Sequence, residues 1–400
     1  MQLPSAINYN VNFRNVWVGQ ILCQSANKAA MIDLLWWTLD RPGTTSSAAA
    51  WANGALLLAN ALPAVVLASF IGRALQARGS RVVIGVAQCV AAFGLAAMFG
   101  AAASKILTPG LAVALSSLVA AGQSCVDAGL NRSVCELVPR TELEQAVALE
   151  AATQPLASLG GTALGAIVAG LIGLTPVLAL CAAGYLVAAS LTLRSRFTAA
   201  SDGDPANAAE GAAESSDDAW VGRLLHVFAA ANFLLFPIFL VLPLFTRSTL
   251  RRTVTALGLL EAGFWCGLIA GTALAGRLPQ GPAMLPRLVG AALLVFGAAL
   301  AAMARFPSPA GTAAGLAIGG LAVGIVNVKV LGYFQQTVAE ARKPAFFARL
   351  QAWIGAGQPL GYAAFALVLS RVEPATAFAV QGCGLLLLGA PLALARRTPG

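Results

Sequence analysis

The chain has 400 residues, of which 58% are hydrophobic and only 10% charged, with a formal net charge of +9. Soluble domains carry about 25% charged residues, so a soluble chain of this balance would leave large apolar patches in water, and the bilayer is its natural solvent. The basic excess therefore reads as a matter of membrane orientation, with no nucleic-acid partner expected.

Apolar windows long enough to cross about 30 Å of hydrocarbon recur twelve times, at 14–38, 47–72, 82–104, 109–131, 146–172, 175–193, 222–246, 254–278, 286–304, 309–334, 346–371 and 375–395. Strand alternation is absent, and lipid offers no water to unpaired backbone groups, so each window is expected to be a helix. The first lacks a small-residue cleavage site after a short apolar core and reads as a retained helix. It also contains "NKAAMIDLLWW" (27–37), a lysine and an aspartate in a greasy segment. A charge at the centre of a spanning helix costs roughly 2.5–3.5 kcal/mol on insertion scales, so both call for a reason.

Helical spacing separates the two charges. Gln20, Gln24, Asn27, Lys28 and Met31 fall within a roughly 100° arc, one polar stripe with the lysine at its deep end. Asp33 lies about 140° from Lys28 and must look toward a different neighbour. Trp36, Trp37 and Trp51 flank the outer ends of the first two windows, where indole rings anchor helices at the interface. In the fourth window Ser116, Gln123 and Asp127 share a face, with Asn131 at its edge. In the eighth, Glu261 is a third intramembrane carboxylate. In the tenth, Lys329, Tyr333 and Gln336 align at i, i+4 and i+7.

One interruption differs from the rest. Residues 197–220, "FTAASDGDPANAAEGAAESSDDAW", hold six acidic residues and no basic one. Such a segment cannot bury a core and is expected to be a disordered cytoplasmic linker between two six-helix bundles, 1–196 and 221–400. Basic residues divide 15 to 7 in favour of the face that carries both termini and this linker, which places that face in the cytoplasm. Seven cysteines show no C-x-x-C or Cys/His spacing and read as free thiols. His226 is the single histidine, near the mouth of the seventh window.

The chain resembles the major facilitator superfamily, and within it the bacterial efflux branch of enterobactin-type siderophore exporters and macrolide or drug:proton antiporters. The likeness lies in "FRNVWVGQILCQ" (13–24), "ELVPRTELEQAVALEAA" (136–152), "ALGLLEAGFWCGLIAGTALAGRL" (256–278) and "FFARLQAWIGAGQPLG" (346–361). A weaker likeness to lysophospholipid transporters covers helices 1 and 5. The superfamily's G-x-x-x-D-R-x-G-R-R loop appears as "GRALQARGSR" (72–81), keeping Gly72, Gly79 and Arg81 as gating residues but placing Gln76 and Ala77 where Asp and Arg belong. Gly161-Thr162 stands where antiporters have Gly-Pro.

The resemblance implies an all-α membrane fold of twelve helices, monomeric, in a bacterial cytoplasmic membrane, with helices 1, 4, 7 and 10 lining a central cavity. The stripes then supply candidate substrate-binding residues: Gln24, Asn27, Lys28, Gln123, Asp127, Lys329, Tyr333 and Gln336. Asp33, Asp127 and Glu261 are the candidate proton-coupling carboxylates, since burial and a nearby lysine push a carboxylate's protonation in opposite directions. Two readings of the lysines stand side by side. Either at least one faces a wet pathway and meets an anionic cargo, or they are buried ion pairs with Asp33, Asp127 or Glu261 that tie helices together.

The expected activity is export of a small polar anionic metabolite, a carboxylate- or catecholate-bearing siderophore, by proton-coupled alternating access. Efflux of macrolides or other amphipathic drugs and flipping of lysophospholipids are the alternatives. No nucleophile elbow, paired metal ligands or phosphate-binding loop is visible, so neither an enzyme, a cofactor nor an ATP-driven pump is expected.

Overall fold

The computed structural model describes residues 10–139, 143–197, 216–278, 284–339 and 342–394. Among them there is no strand. In chain order the helices are α1 (Val11–Asp40), α2 (Ser46–Val66), α3 (Ala68–Ala103), α4 (Pro109–Leu137), α5 (Leu143–Ile172), α6 (Leu174–Arg194), α7 (Ser216–Leu235), α8 (Ile238–Ser248), α9 (Val254–Ala275), α10 (Leu285–Arg305), α11 (Pro309–Thr337), α12 (Lys343–Leu369) and α13 (Pro374–Leu394). Most of the acidic segment, 198–215, lies outside the described residues, while the chain is helical from Ser216.

Among the described residues eleven spans are long and apolar enough to cross a membrane. The 30-residue α1 is not among them, because its glutamines, asparagine, lysine and aspartate lower its hydropathy; it is the twelfth crossing by length. The windows and helices differ at two places. The 36-residue α3 is broken at Gly79, whose φ of 74° and ψ of 161° lie in a region open essentially to glycine alone. The end of the second window thus belongs to α3, which continues as the third crossing after the turn. The seventh window is two helices, α7 and α8, because Pro237 has no backbone N–H and clashes with the preceding turn.

Helix starts follow from local chemistry. The Asn10 side chain accepts from the Phe13 N–H at 3.0 Å to cap α1. Thr108-Pro109 and Ser308-Pro309 open α4 and α11 alike: the hydroxyl accepts from the backbone N–H three residues on, at 3.2 and 3.1 Å, and proline takes the first helical position. These two helices begin 200 residues apart, as do α5 and α12 (143 and 343) and α6 and α13 (174 and 374). The last three spans of each half are therefore in sequence register, the mark of an internal repeat.

Contacts divide the chain into two compact units, Met1–Thr44 with Ala55–Gly203 and Thr253–Leu259, and Thr45–Gly54 with Asp204–Arg252 and Leu260–Gly400. Within the first, α1 packs on α5 and α6, and α3 on α4 and α6. Within the second, α10 packs on α13 and α11, and α12 on α7. Close approach there relies on glycine. A methyl group at Gly267 or Gly271 of α9 would overlap the carbonyl oxygens of Ala317 and Leu321, and one at Gly320 or Gly324 of α11 would overlap those of Phe264 and Leu268. Each helix presents a G-x-x-x-G pair to the other's backbone.

Replacing Gly271 by Val should therefore force these helices apart at a cost of about 1–3 kcal/mol. Thermal unfolding of the purified protein in micelles should show a lower midpoint for Gly271→Val and none for Gly72→Ala, since Gly72 has open space around it. Equal midpoints would contradict the packing account.

Candidate functional site

The polar stripes of α1 and α4 meet inside the first unit. Gln123 Nε2 donates to Asp127 Oδ1 at 2.7 Å, one turn away on α4, and Gln24 Nε2 of α1 donates to the same oxygen at 3.3 Å. The Tyr185 hydroxyl of α6 donates to Gln123 Oε1, which turns the amide so that its NH₂ faces the carboxylate. Tyr185 is fully buried and Gln123 nearly so, whereas Asp127 is exposed. Lys28, half-buried, lies close enough for its charge to act on Asp127, as does Glu150 of α5. A carboxylate exposed to hydrocarbon would be costly to keep.

The α5 contact extends the cluster. Gln20 Nε2 donates to Glu150 Oε1 at 3.1 Å, and Trp17 Nε1 to Thr153 Oγ1 at 2.8 Å. Ser25 Oγ donates to the Ala157 carbonyl at 3.2 Å. Gly161 and Gly165 let α1 sit directly on α5: a methyl group at Gly161 would overlap the Ser25 carbonyl oxygen and press on Lys28 Cβ. The position of Lys28 is thus set by a glycine on a different helix.

The remaining candidates are dispersed. Asp33 is 2% exposed and neither carboxyl oxygen has a hydrogen-bond partner among the described residues; Cys181 of α6 lies near it. Asn27 lines a small pocket rather than joining the Asp127 cluster. In the second unit Glu261 is 5% exposed beside buried Tyr362, whose hydroxyl accepts from Gln358 Nε2 at 3.3 Å. His226 is exposed, its ring edge-on to Trp353 at 5.4 Å.

The three aligned residues of the tenth span differ in their surroundings, and Lys329 is the most enclosed. It is 5% exposed and its Nζ donates to the Leu278 carbonyl at 2.6 Å, while Tyr333 is half-buried and Gln336 exposed. Helical spacing placed the three on one side but could not show that the end of α9 covers Lys329. In the 200-residue register the counterpart of Asp127 is Asn327. With Asn232 of α7 and Phe296 of α10 it lines a cavity of about 20 Å³ in the second unit.

In the first half of α3 Gly72 is exposed, Gly79 makes the turn, and Arg81 donates through Nε at 3.1 Å and through Nη2 to the Leu193 carbonyl, closing the C-terminus of α6. A different contact joins α3 and α4 near this turn. Ser80 Oγ of α3 donates to Glu136 Oε1 at 3.0 Å, and Arg132 pairs with the same oxygen at 3.1 Å.

Residue patterns alone did not single out Glu150, Tyr185, Ser80 or Asn327. Only Asn327 left a readable signal, its position 200 residues after Asp127.

Replacing Tyr185 by Phe leaves Gln123 Oε1 buried without its donor, at a cost of about 1–3 kcal/mol. The unfolding midpoint should fall in Tyr185→Phe and in Gln123→Ala, and combining them should cost little more than one alone. Strict additivity would show that the two side chains act independently.

The sequence profile of the Major Facilitator Superfamily matches residues 16–326. Among solved structures, the human organic anion transporter MFSD10 (TETRAN) is similar with a TM-score of 0.62 at 15% identity, over 98% of this chain and 100% of that one. A mutant of the nucleoside transporter NupG is similar with a TM-score of 0.70 at 12% identity, over 95% of this chain and 98% of that one. No curated protein matches the chain.

Proposed function

This chain belongs to the Major Facilitator Superfamily, and on that premise we propose that it exports a small polar anionic metabolite by alternating access of its two six-helix halves, with Lys28 as anion anchor and Asp127 as the proton-responsive group. The observation that carries the reading is an exposed carboxylate, Asp127, gripped by Gln24 and Gln123 with the Lys28 charge beside it. Lys329, buried and tied to a backbone carbonyl, supports helix packing instead of cargo.

A siderophore bearing carboxylates or catecholates is the cargo class favoured by the efflux-branch resemblance at 13–24, 136–152, 256–278 and 346–361. One structurally similar protein is an organic anion transporter; the argument for this chain rests on Lys28. In a bacterial inner membrane with cytoplasmic termini, the inside-negative potential draws an anion outward by about 2.3 kcal/mol per charge per 100 mV.

The chemistry of the pair also sets how protons enter. A cargo anion at Lys28 competes with the Asp127 carboxylate for one ammonium group. Cargo binding therefore goes with proton uptake at Asp127, so one proton travels with the anion, in contrast to the antiport that the resemblance implies, and the potential draws outward only a cargo that carries more than one negative charge. A second reading, efflux of amphipathic aromatic drugs, is favoured by one feature of the second unit. There Trp265 stacks on Phe239 at 5.8 Å, and Phe264 meets both rings edge-on at 5.6 and 5.5 Å.

The test is transport of a labelled catecholate siderophore by protein reconstituted in vesicles. A lost charge-assisted contact of about 1.5–3 kcal/mol lowers affinity roughly ten- to a hundredfold. Lys28→Ala should show that loss and Lys28→Arg should largely restore it. Wild-type binding should strengthen as pH falls, and Asp127→Asn should flatten that dependence. Full affinity in Lys28→Ala would sink the anion anchor, and macrolide efflux lost in Trp265→Ala but kept in Lys28→Ala would favour the drug reading.

A further inference from the structure

We propose that a pocket inside the first unit, apart from the Asp127 cluster, seats a hydroxyl group of the cargo, so that the protein selects a hydroxylated acid over the same acid without the hydroxyl. This rests on the anionic-cargo reading above. The pocket has a volume of about 10 Å³ and is lined by Asn27 and Met31 of α1, Asn60 of α2, Met98 of α3 and Ser116 of α4, among others.

Ser116 is the decisive residue. It is 3% exposed, and its Oγ has no hydrogen-bond partner. Other serines of the same helix behave differently: Ser117 and Ser124 donate to the carbonyls of Val113 and Ala120 at 3.0 and 2.8 Å. A buried hydroxyl with that option open to it, yet unbonded and facing a cavity, is a group awaiting a partner. Asn27 and Asn60 are half-buried, and neither makes a side-chain hydrogen bond among the described residues. Three helices thus deliver one polar side chain each to one small space, and that of Ser116 is buried without a partner.

The chemistry of the lining names the guest. No charged side chain lines the pocket, so an ion there would lose its hydration without compensation. The two amides and the serine offer both donors and acceptors, which matches a hydroxyl, itself both. Met31 and Met98 supply adaptable apolar walls. The volume admits one water-sized group and no more. Asn27 and Lys28 are successive residues of α1, so the seats for hydroxyl and anion are carried by a single turn of helix.

The experiment compares two probes with one carboxylate, benzoate and 3-hydroxybenzoate, binding to the full-length protein in lipid nanodiscs by calorimetry. Wild type should prefer the hydroxylated acid by roughly tenfold or more. Ser116→Ala should reduce the preference to about threefold or less, and Asn60→Leu, which fills the space, should abolish it. Lys28→Ala should weaken both acids alike and leave their ratio unchanged; equal affinities in Lys28→Ala and wild type would defeat the anion anchor while the ratio still judges the pocket. A wild type without preference, the result if the pocket holds only a water molecule, overturns the proposal. So does an unchanged preference in both Ser116→Ala and Asn60→Leu.

Discussion

Everything in this molecule that bears on transport turns on the cost of placing a carboxylate in an apolar helix. Asp127 stands well inside a 29-residue apolar helix, and nothing in hydrocarbon could hold it there. Two glutamine amides and a nearby ammonium make the position tenable. The supporting structure follows in order: Tyr185 orients Gln123, α6 carries Tyr185, and the glycines of α5 let α1 bring Gln24 and Lys28 within reach. Small residues on one helix thereby decide where a charge on another can act.

The internal repeat shows how one scaffold is divided between two tasks. Starting the last three spans of each half 200 residues apart gives α4 and α11 the same cap and the same length. Yet Asp127 becomes Asn327, and Gly129, against which Ile84 packs, becomes Lys329. The first unit keeps the exposed charge. The second replaces it by an amide beside Phe296 and uses its lysine to hold the end of α9. At this position one half carries the charge and the other keeps its neutral counterpart.

Much of the fold was legible because hydrophobic length is a local property. The apolar windows and the stripes on α1 and α4 depend only on spacing along one helix, and that spacing put Gln123 and Asp127 on one face of α4. The separation of Lys28 from Asp33 was likewise a matter of helical angle. What spacing could not show was any partner from elsewhere in the chain. Tyr185 and Glu150 join through contacts 62 and 130 residues away in sequence. Lys329 looked like a pathway residue because its own helix permits that, and the end of α9 covers it. The break at Pro237 and the turn at Gly79 are backbone effects that hydropathy averages away.

The most direct measurement is the reactivity of Asp127→Cys, in a protein whose native cysteines are replaced by serine, toward a charged, membrane-impermeant thiosulfonate. Rapid labelling at 127, with Leu130→Cys (3% exposed) on the same helix unreactive, is the result expected if the site is wet. A thiol at 127 as inert as the one at 130 would mean that the carboxylate sits among packed groups or lipid, and the transport account would fail with it.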